Sequence, residues 1–282
     1  ANGTKSIPAS IGQNATNAVV SSQVTVTPIF TQGISCSGSN QTFTYYVLPI
    51  PSVAPINNQS YCHQTAVNAT PINGSGTSYN WTNSNTSIGL VASGSNTVNA
   101  FNATNPGTSA ISGNVNITPI FTFQGQSCNG PVGTYSITVN PRPYVNALND
   151  TVICNNQNAA VNITTNIPAN ITWFATQNAN VNGELTTVQT NTFINDLLSN
   201  TSSVPQSVTY TITPTTLAGC IGPDSFVVVQ VQPDVLLNIP QNLEICSGAG
   251  VNAILAANIP SNFSWFCTVN NPNVSGESLI TN

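Results

Sequence analysis

Charge is the scarcest property of this sequence. Of its 282 residues, two are basic and seven are acidic, so 3% of the chain is charged, against about 25% in an ordinary soluble domain. The two basic residues, Lys5 and Arg142, cannot form the cationic face with which proteins bind nucleic acid or a polybasic membrane-binding segment. The seven dispersed acids are too few for calcium modules, which cluster several carboxylates at each site.

Long apolar runs are also missing. The longest extend over only a few residues, as at Phe226 to Val229, so we expect no transmembrane helix and no direct membrane insertion. The first residues, Ala1 to Lys5, lack the apolar core of a signal peptide. An exported protein fits these features after processing, or if the sequence comes from the middle of a longer chain.

The residues that are abundant favour an ordered all-β protein. Asparagine accounts for 42 of the 282 residues, and 40% of the chain is hydrophobic. Disordered chains combine low hydrophobicity with high net charge, which is not the pattern here. The apolar residues are mainly the β-formers Val, Ile, Phe and Tyr, separated by 19 Pro and 19 Gly.

Internal repetition determines the organisation of the chain. Four sets of residues recur at intervals of 92 and 92: Cys36, Cys128 and Cys220; Cys62, Cys154 and Cys246; Trp81, Trp173 and Trp265; Pro49, Pro141 and Pro233. A fixed period of this kind is typical of tandem repeats. Division after each proline gives an N-terminal piece (1–49), repeat 1 (50–141), repeat 2 (142–233) and a C-terminal piece (234–282).

The two shorter pieces match opposite halves of a repeat. By homology, 1–49 is the back half of one unit and 234–282 is the front half of another. We therefore expect the sequence to be a segment of a longer array. The alternative is that the termini are natural and that terminal strands pair with neighbouring subunits.

Each repeat has the size of an immunoglobulin-like β-sandwich of about seven strands. Apolar residues alternate in the last strand of each unit, as in Tyr135, Ile137 and Val139, which indicates one buried and one solvated face. The preceding strand and a Gly-containing loop complete a final hairpin. We predict tandem sandwiches in a linear array.

The periodic tryptophans follow the second periodic cysteine by 19 residues on short β runs. We expect Trp81, Trp173 and Trp265 to fill the core of each sandwich. Stacking on carbohydrate is the functional alternative, but recurrence at one place in every unit favours the core.

The cysteines suggest an oxidising compartment and allow two disulfide registers. The first is intra-unit and joins Cys62 to Cys128 and Cys154 to Cys220. The second joins Cys36–Cys62, Cys128–Cys154 and Cys220–Cys246 across units. The connecting path in the second could exceed roughly 60 Å, whereas bridged Cα atoms lie about 6 Å apart, so we favour the first. Cys267 breaks the period and is either a buried thiol or an extra link.

No pattern in the sequence predicts a metal site, a cofactor or catalysis. There is no C-x-x-C motif, and the one histidine, His63, has no counterpart in the other units. Acid–base catalysis needs grouped titratable side chains, but Asp150, Asp196, Asp224 and Asp234 occur singly. We therefore expect a protein that is not an enzyme.

Three segments resemble the PKD-like, immunoglobulin-like repeats of giant cell-surface proteins of Bacteroidota. They are residues 81–94 (WTNSNTSIGLVASG), 117–141 (ITPIFTFQGQSCNGPVGTYSITVNP) and 151–155 (TVICN). The resemblance covers nearly the whole chain and weakens after Trp173. It implies an exported stalk of an adhesin or surface filament, moved by type IX secretion, with no catalytic residues to carry over. The Asp150-Thr151-Val152 triplet resembles the Bacteroidota O-glycosylation motif, which makes Thr151 a candidate glycosylation site.

The resemblance also implies the partners. They are neighbouring repeats of the same chain, with lateral self-association into fibres and, as a further option, surface glycans. The alternative functions are a glycan- or surface-binding module within such an adhesin and a phage or viral fibre. Both adhesin functions imply a location that is extracellular or on the cell surface.

Overall fold

The computed structural model describes residue 7 and residues 11–239, 242–266 and 272–274. These residues form strands and loops with one 3₁₀ turn, Thr86–Ile88. No helix in this part of the chain is long and apolar enough to cross a membrane. The chain divides into two compact units, residues 1–142 and 143–282.

The N-terminal piece is built around one long antiparallel hairpin. Its two 7-residue strands, β1 and β4, pair from Val20↔Val47 to Val26↔Gln41. Two short strands lie at the tip of this hairpin. The bounds are β1 Val20–Val26, β2 Ile29–Phe30, β3 Cys36–Ser37 and β4 Gln41–Val47.

Repeat 1 is a β-sandwich. Its larger layer has the order β5-β14-β12-β8-β9, with β13 paired to the end of β12, and the opposite layer consists of the pairs β6·β11 and β7·β10. The bounds are β5 Gln59–Cys62, β6 Ala66–Val67, β7 Thr70–Pro71, β8 Ser78–Asn83, β9 Ser93–Ser95, β10 Thr97–Val98, β11 Phe101–Asn102, β12 Ile111–Phe123, β13 Gln126–Asn129 and β14 Gly133–Asn140.

Repeat 2 follows the same plan. One layer has the order β15-β23-β22-β18, and the other contains β16-β21-β19 and β17·β20. The bounds are β15 Thr151–Ile153, β16 Gln157–Asn158, β17 Val161–Asn162, β18 Asn170–Ala175, β19 Val181–Asn182, β20 Phe193–Ile194, β21 Leu197–Asn200, β22 Gln206–Thr215 and β23 Ser225–Val231.

The C-terminal piece contributes one short pair to the described residues. Strand β24 (Leu237–Asn238) pairs with β25 (Ala256–Ala257). At the same positions in repeat 2, Val145 forms a bridge with Thr165. The piece therefore adopts the first local contacts of a repeat.

Period-two burial places one apolar core inside each complete repeat. Along β14, Tyr135, Ile137 and Val139 are buried and alternate with half-exposed residues. In both repeats the core joins side chains of the two layers, for example Val67 and Val115 in repeat 1. The predicted fold class is confirmed: the protein is all-β and consists of tandem immunoglobulin-like sandwiches. All sandwich strands lie within 50–141 and 142–233.

Candidate functional site

The tryptophans of the two complete repeats lie on the strand that flanks the final hairpin. Trp81 on β8 pairs with Ile117 and Trp173 on β18 pairs with Ile212, and each indole is 1% exposed. A buried indole N–H needs an acceptor. Trp81 Nε1 donates to the Thr97 carbonyl at 2.9 Å. These two side chains are core residues and are not available for carbohydrate stacking.

Trp173 has a denser set of polar and aromatic contacts than Trp81. Its Nε1 donates to the carbonyl oxygen of Asn191 at 3.0 Å and to Oδ1 of the same residue at 2.8 Å. Its ring lies edge-on to Tyr210, with ring centroids 5.7 Å apart. Neighbouring residues thus fix both the indole N–H and the indole ring.

Trp265 departs from the expectation of a core position. It is 47% exposed, and its neighbour Phe266 is 69% exposed. In the complete repeats the final hairpin covers the tryptophan, and the C-terminal piece contains no such hairpin among its described residues. Trp265 is exposed because the strands that bury its counterparts are not beside it.

A recurring asparagine fastens the last strand of each unit and was not found by sequence reasoning. In repeat 1, Asn105 Nδ2 donates to the carbonyls of Val139 and Ser109 at 2.7 and 2.8 Å, and its Oδ1 accepts the Gly107 N–H. The side chain is 2% exposed. It therefore joins the loop before β12 to the end of β14.

The same arrangement occurs in the other two hairpins. Asn200 Nδ2 donates to Val231 and Val204 at 3.0 and 2.8 Å, and Asn14 Nδ2 donates to Val47 and Ala18 at 2.9 and 2.7 Å. The acceptors Val47, Val139 and Val231 follow the 92-residue period, whereas the asparagines are spaced by 91 and 95. The recurring asparagine cannot be recognised from the sequence, because its spacing is irregular and because Asn is abundant.

The first and last strands of each complete repeat are parallel neighbours. In repeat 1, β5 pairs with β14 from Gln59↔Ile137 to Cys62↔Asn140. In repeat 2, β15 pairs with β23 from Thr151↔Val229 to Ile153↔Val231. These pairs connect the point where the chain enters the sheet with the point where it leaves.

Side chains reinforce this parallel pairing at equivalent positions. Asn58 Oδ1 accepts the Ser136 N–H at 2.9 Å, and Asp150 Oδ1 accepts the Val228 N–H at 2.8 Å. Asn58 and Asp150 differ by 92 positions, as do Ser136 and Val228. In repeat 2, the carboxylate of Asp150 therefore accepts the hydrogen bond that the uncharged amide of Asn58 accepts in repeat 1.

Other titratable side chains also bind the backbone or a neighbouring side chain. His63 Nδ1 accepts the Asn105 N–H at 2.9 Å, and Glu184 Oε1 accepts the Asn178 N–H at 3.1 Å. Asp224 accepts the hydroxyl of Thr213. Among the described residues, no three His, Cys, Asp or Glu side chains group as metal ligands. The side chains of His63, Glu184 and Asp224 thus each make a hydrogen bond within their own repeat.

Asp196 is the most deeply buried acid in the described chain and is 5% exposed. Its Oδ2 accepts the Leu185 N–H at 2.8 Å and the Tyr210 hydroxyl at 3.0 Å. Burial raises the pKa of Tyr210, and the charge of Asp196 raises it further. The pair is a structural polar contact inside repeat 2.

Tyr135 is the corresponding core tyrosine of repeat 1. It is 3% exposed, and within the described residues its buried hydroxyl has no hydrogen-bond partner. Burial, with a smaller effect from Tyr61, raises its pKa to about 12. Burial of this hydroxyl therefore costs desolvation free energy that no hydrogen bond offsets.

The cysteines correct the predicted disulfide register. Cys128 and Cys154 are free thiols, as are Cys36 and Cys246. Every pair in either proposed register contains at least one of these four residues, so neither register forms. Cys62 and Cys220 are disulfide-bonded. Cys267 lies outside the described residues.

Strand direction explains why the intra-unit pairs do not form. Cys62 lies opposite Asn140 at the end of β14, whereas Cys128 lies on β13, before β14 begins at Gly133. Seven residues of strand separate these two ends by about 23 Å, and bridged Cα atoms must lie within about 7 Å. In repeat 2, Cys154 and Cys220 are likewise at opposite ends of β23.

Thr151, the candidate glycosylation residue, begins β15 and is half-buried. It pairs with Val229, and the preceding Asp150 is bound to Val228. The acidic member of the triplet therefore has a structural partner. Glycosylation of Thr151 stays a prediction.

The family model described as PKD-like domain matches residues 151–235, which is most of repeat 2. Solved structures with similarity include a three-immunoglobulin-domain fragment of titin, at 12% identity and a TM-score of 0.40, covering 80% of this chain and 82% of that one. The EC1-3 fragment of mouse protocadherin-24 has 11% identity, a TM-score of 0.32 and coverages of 75% and 80%.

A bacterial structure also shows similarity. The fibronectin(III)-like modules of Clostridium thermocellum CbhA have 10% identity and a TM-score of 0.26, covering 65% of this chain and 95% of that one. No curated protein matches the sequence. The match to the PKD-like model and the sandwich topology together support an immunoglobulin-like architecture in repeat 2.

Proposed function

We propose that this chain is a tension-bearing segment of the stalk or filament of an extracellular bacterial adhesin, similar to the type IX-exported surface proteins of Bacteroidota. Its partners are neighbouring repeats of the same long chain, with lateral packing into fibres. The observation that carries the proposal is the parallel pairing of first and last strands in both complete repeats. This pairing gives a physical reason for the repeat to resist pulling from its two ends.

The path of the chain defines how a pulling force acts on repeat 1. Before β5, the chain passes close to the loop that precedes β14, because a Cβ added at Gly130 would overlap the Pro51 carbonyl oxygen. It then runs along the sheet to Cys62, opposite Asn140. When Cys62 is reduced, force on the two ends therefore pulls β5 and β14 in opposite directions along their length.

This geometry loads the interstrand hydrogen bonds in shear. In a hairpin pulled at its open end the bonds break one after another, but in parallel neighbours pulled apart lengthwise they carry the force together. Asn58 and Asp150 each add a side-chain bond across the pair, and Asn140 Nδ2 donates to Ser60 Oγ at 2.9 Å. Both repeats thus reinforce the connection on which tension acts.

The chemistry of the chain is compatible with an extracellular location. Disulfides persist in oxidising compartments, and Cys62 and Cys220 are disulfide-bonded. Solubility comes from amides and hydroxyls, since 3% of the residues are charged. Weak electrostatic repulsion favours lateral packing of neighbouring chains.

Single-molecule force spectroscopy of the 282-residue chain tests the proposal. The chain is pulled in the presence of reductant, because Cys62 and Cys220 are disulfide-bonded and a disulfide limits the length of chain that can extend. Under these conditions we expect separate unfolding events, each releasing roughly 300 Å of chain for a 92-residue repeat. Asp150→Ala should lower the unfolding force of repeat 2 and leave that of repeat 1 unchanged. Asp224→Ala is the matched control, because it removes the same charge but contacts Thr213 and not the first strand.

Two results would reject the tension-bearing role. One is a lower unfolding force for Asp224→Ala with none for Asp150→Ala. The other is the absence of separate unfolding events in a chain whose amide exchange shows that both repeats are folded. Specific retention of the folded chain on a glycan array would favour the binding-module alternative.

A further inference from the structure

The outer face of the sheet that contains the final hairpin differs in chemistry between the two complete repeats. In repeat 1, strands β5, β8 and β14 present four hydroxyl side chains on this face: Ser60, Thr82, Thr134 and Ser136. The residues 92 positions later in repeat 2 are all apolar: Val152, Phe174, Phe226 and Val228. The equivalent strands thus carry a polar outer face in repeat 1 and an apolar one in repeat 2.

The four apolar side chains point away from the core of repeat 2. Phe174 and Phe226 alternate with buried residues along β18 and β23, so they point outward. They are 39% and 62% exposed, and Val152 on β15 is 61% exposed. Val228, two residues after Phe226, lies on the same face and is half-buried. We call these four residues the apolar patch.

The two phenylalanines lie on either side of a short side chain. Thr211 on β22 pairs with Phe174 on β18 and with Phe226 on β23, so the three residues form one row across the sheet. Neighbouring strands lie about 4.8 Å apart, which separates the two phenylalanines by about 10 Å. Aromatic rings pack at centroid distances of about 4.5–7 Å. The space above Thr211 therefore fits one more aromatic ring.

The charge of this face is compatible with a partner that presents the same face. No residue of strands β15, β18, β22 and β23 is charged. Asp150 and Asp224, which precede two of these strands, are hydrogen-bonded to Val228 and Thr213. An apolar centre with an uncharged polar rim is the usual anatomy of a protein interface. Two copies of this face can therefore approach with little electrostatic repulsion.

The size of the face indicates a reversible contact. Four strands of about six residues cover roughly 400 Å², whereas stable dimers bury about 800 Å² on each partner. A contact of this size is weak between a single pair of chains. It suits the lateral packing of a filament, in which several weak contacts act together.

We propose that the apolar patch is the surface through which a second copy of this chain packs laterally, an inference that rests on the filament role proposed above. The ring of Phe226 from each copy enters the space above Thr211 of the other. A two-fold axis along the strands then produces one stack of four rings, with the two Phe226 rings inside and the two Phe174 rings outside. The contact uses the same surface on both copies, so it closes as a dimer.

Sedimentation equilibrium of the full 282-residue chain, from micromolar to near-millimolar concentration, tests this contact. We expect the average mass to rise toward that of a dimer and not beyond it. The double variant Phe174→Thr, Phe226→Thr introduces the residues that repeat 1 has at these positions, so the sheet should accommodate them. It should raise the dissociation constant of the dimer by roughly tenfold or more, as expected for aromatic anchors. Non-reducing denaturing electrophoresis checks that the dimer is not covalent, because four of the described cysteines are free thiols.

Two further variants separate the interlocking of rings from general hydrophobic association. Thr211→Phe fills the space between the two rings and makes the face more apolar, so it should weaken association if the rings interlock. Leu217→Thr is the matched control, because it removes an apolar side chain that is 91% exposed in the turn after β22. It should leave association unchanged. Amide exchange in β22 and β23 checks that repeat 2 stays folded in each variant.

The proposal fails if the chain stays a monomer over the whole concentration range, or if Thr211→Phe associates more strongly than the parent chain. Equal association of the double variant and the parent chain would place the contact elsewhere. Binding of a neutral glycan polymer by a monomeric chain, with loss of that binding in the double variant, would assign the apolar patch to a carbohydrate partner instead. None of these results alters the unfolding forces of a single chain, so the tension-bearing role is tested separately.

Discussion

Tyr210 donates its hydroxyl to Oδ2 of Asp196 at 3.0 Å, whereas Tyr135, its counterpart in repeat 1, is buried with no hydrogen-bond partner among the described residues. The two tyrosines occupy opposite strands of equivalent hairpins. Tyr135 on β14 faces Val115, and Tyr210 on β22 faces Val227. At this level of the core each repeat contains one tyrosine and one valine, but the two residues occupy opposite strands of the hairpin.

Replacing each tyrosine by phenylalanine should therefore have opposite effects on the stability of the two repeats. Tyr135→Phe removes a hydroxyl that makes no bond, so the stability of repeat 1 should be unchanged or rise by about 1 kcal/mol. Tyr210→Phe removes a donor from a buried carboxylate and should cost repeat 2 about 1–3 kcal/mol. Native-state amide exchange of β14 and β23 measures the two repeats separately.

The N-terminal hairpin supports the first half of this prediction. Phe43 stands where repeat 1 has Tyr135, in the same pairing with valine, so phenylalanine already occurs at this position of the repeat. A loss of more than 1 kcal/mol for Tyr135→Phe would mean that the hydroxyl has a partner such as a buried water.

The same tyrosines predict a loss of stability at alkaline pH. The pKa of Tyr135 is raised from 10.0 to about 12 by burial, and that of Tyr210 is raised by burial and by Asp196. Above about pH 10 the unfolded chain releases protons that the folded chain keeps, so the free energy of unfolding falls as pH rises. Below pH 10 these groups should have no effect on its slope.

Denaturant unfolding between pH 8 and pH 12, with tyrosinate absorbance as a second signal, measures this effect. The double variant Tyr135→Phe, Tyr210→Phe should show a shallower decline above about pH 10 than the parent chain. An identical decline in both would assign the alkaline sensitivity to other groups.

The buried asparagines predict a large effect for a small change. Asn105→Asp and Asn200→Asp keep the Oδ1 acceptor but lose the Nδ2 donor to the last strand, and they place a charge in a site that is 2% or 4% exposed. Each should destabilise its repeat by about 2 kcal/mol or more. Asn114→Asp, at an exposed position of β12, should change stability little, as measured by amide exchange.

The 92-residue period and the alternation of apolar residues predict the strands whose position depends on nearby residues alone. Alternation in β14 and β23 gives the final hairpins, and the short runs around Trp81 and Trp173 give the strands that bury them. The period does not reveal Asn105 and Asn200, because Asn is common and their spacing differs from 92. It also cannot show that β5 runs parallel to β14, since no short turn links the two strands.

That strand direction is the reason why the disulfide register was wrong. The intra-unit pairs fail the same distance limit that disfavours the inter-unit pairs. Cys62 and Cys128 are separated by the length of β14, a relation that depends on the direction of β5 and not on sequence spacing. For Trp265, the fold of the two complete repeats predicts burial, but the residue is 47% exposed, and the described residues that follow it form no strand.

The cysteines give a final prediction that chemical labelling can check. Without reductant, an alkylating reagent should modify Cys36, Cys154 and Cys246, which are exposed free thiols, and more slowly Cys128, which is half-buried. Cys62 and Cys220 should react only after reduction, because they are disulfide-bonded. Peptide mapping by mass spectrometry identifies each site, and Cys36 serves as an internal control for reagent access. Recovery of a disulfide-linked peptide containing Cys62 and Cys128 would contradict the structure, because a bridge between opposite ends of β14 requires the sheet of repeat 1 to be rearranged.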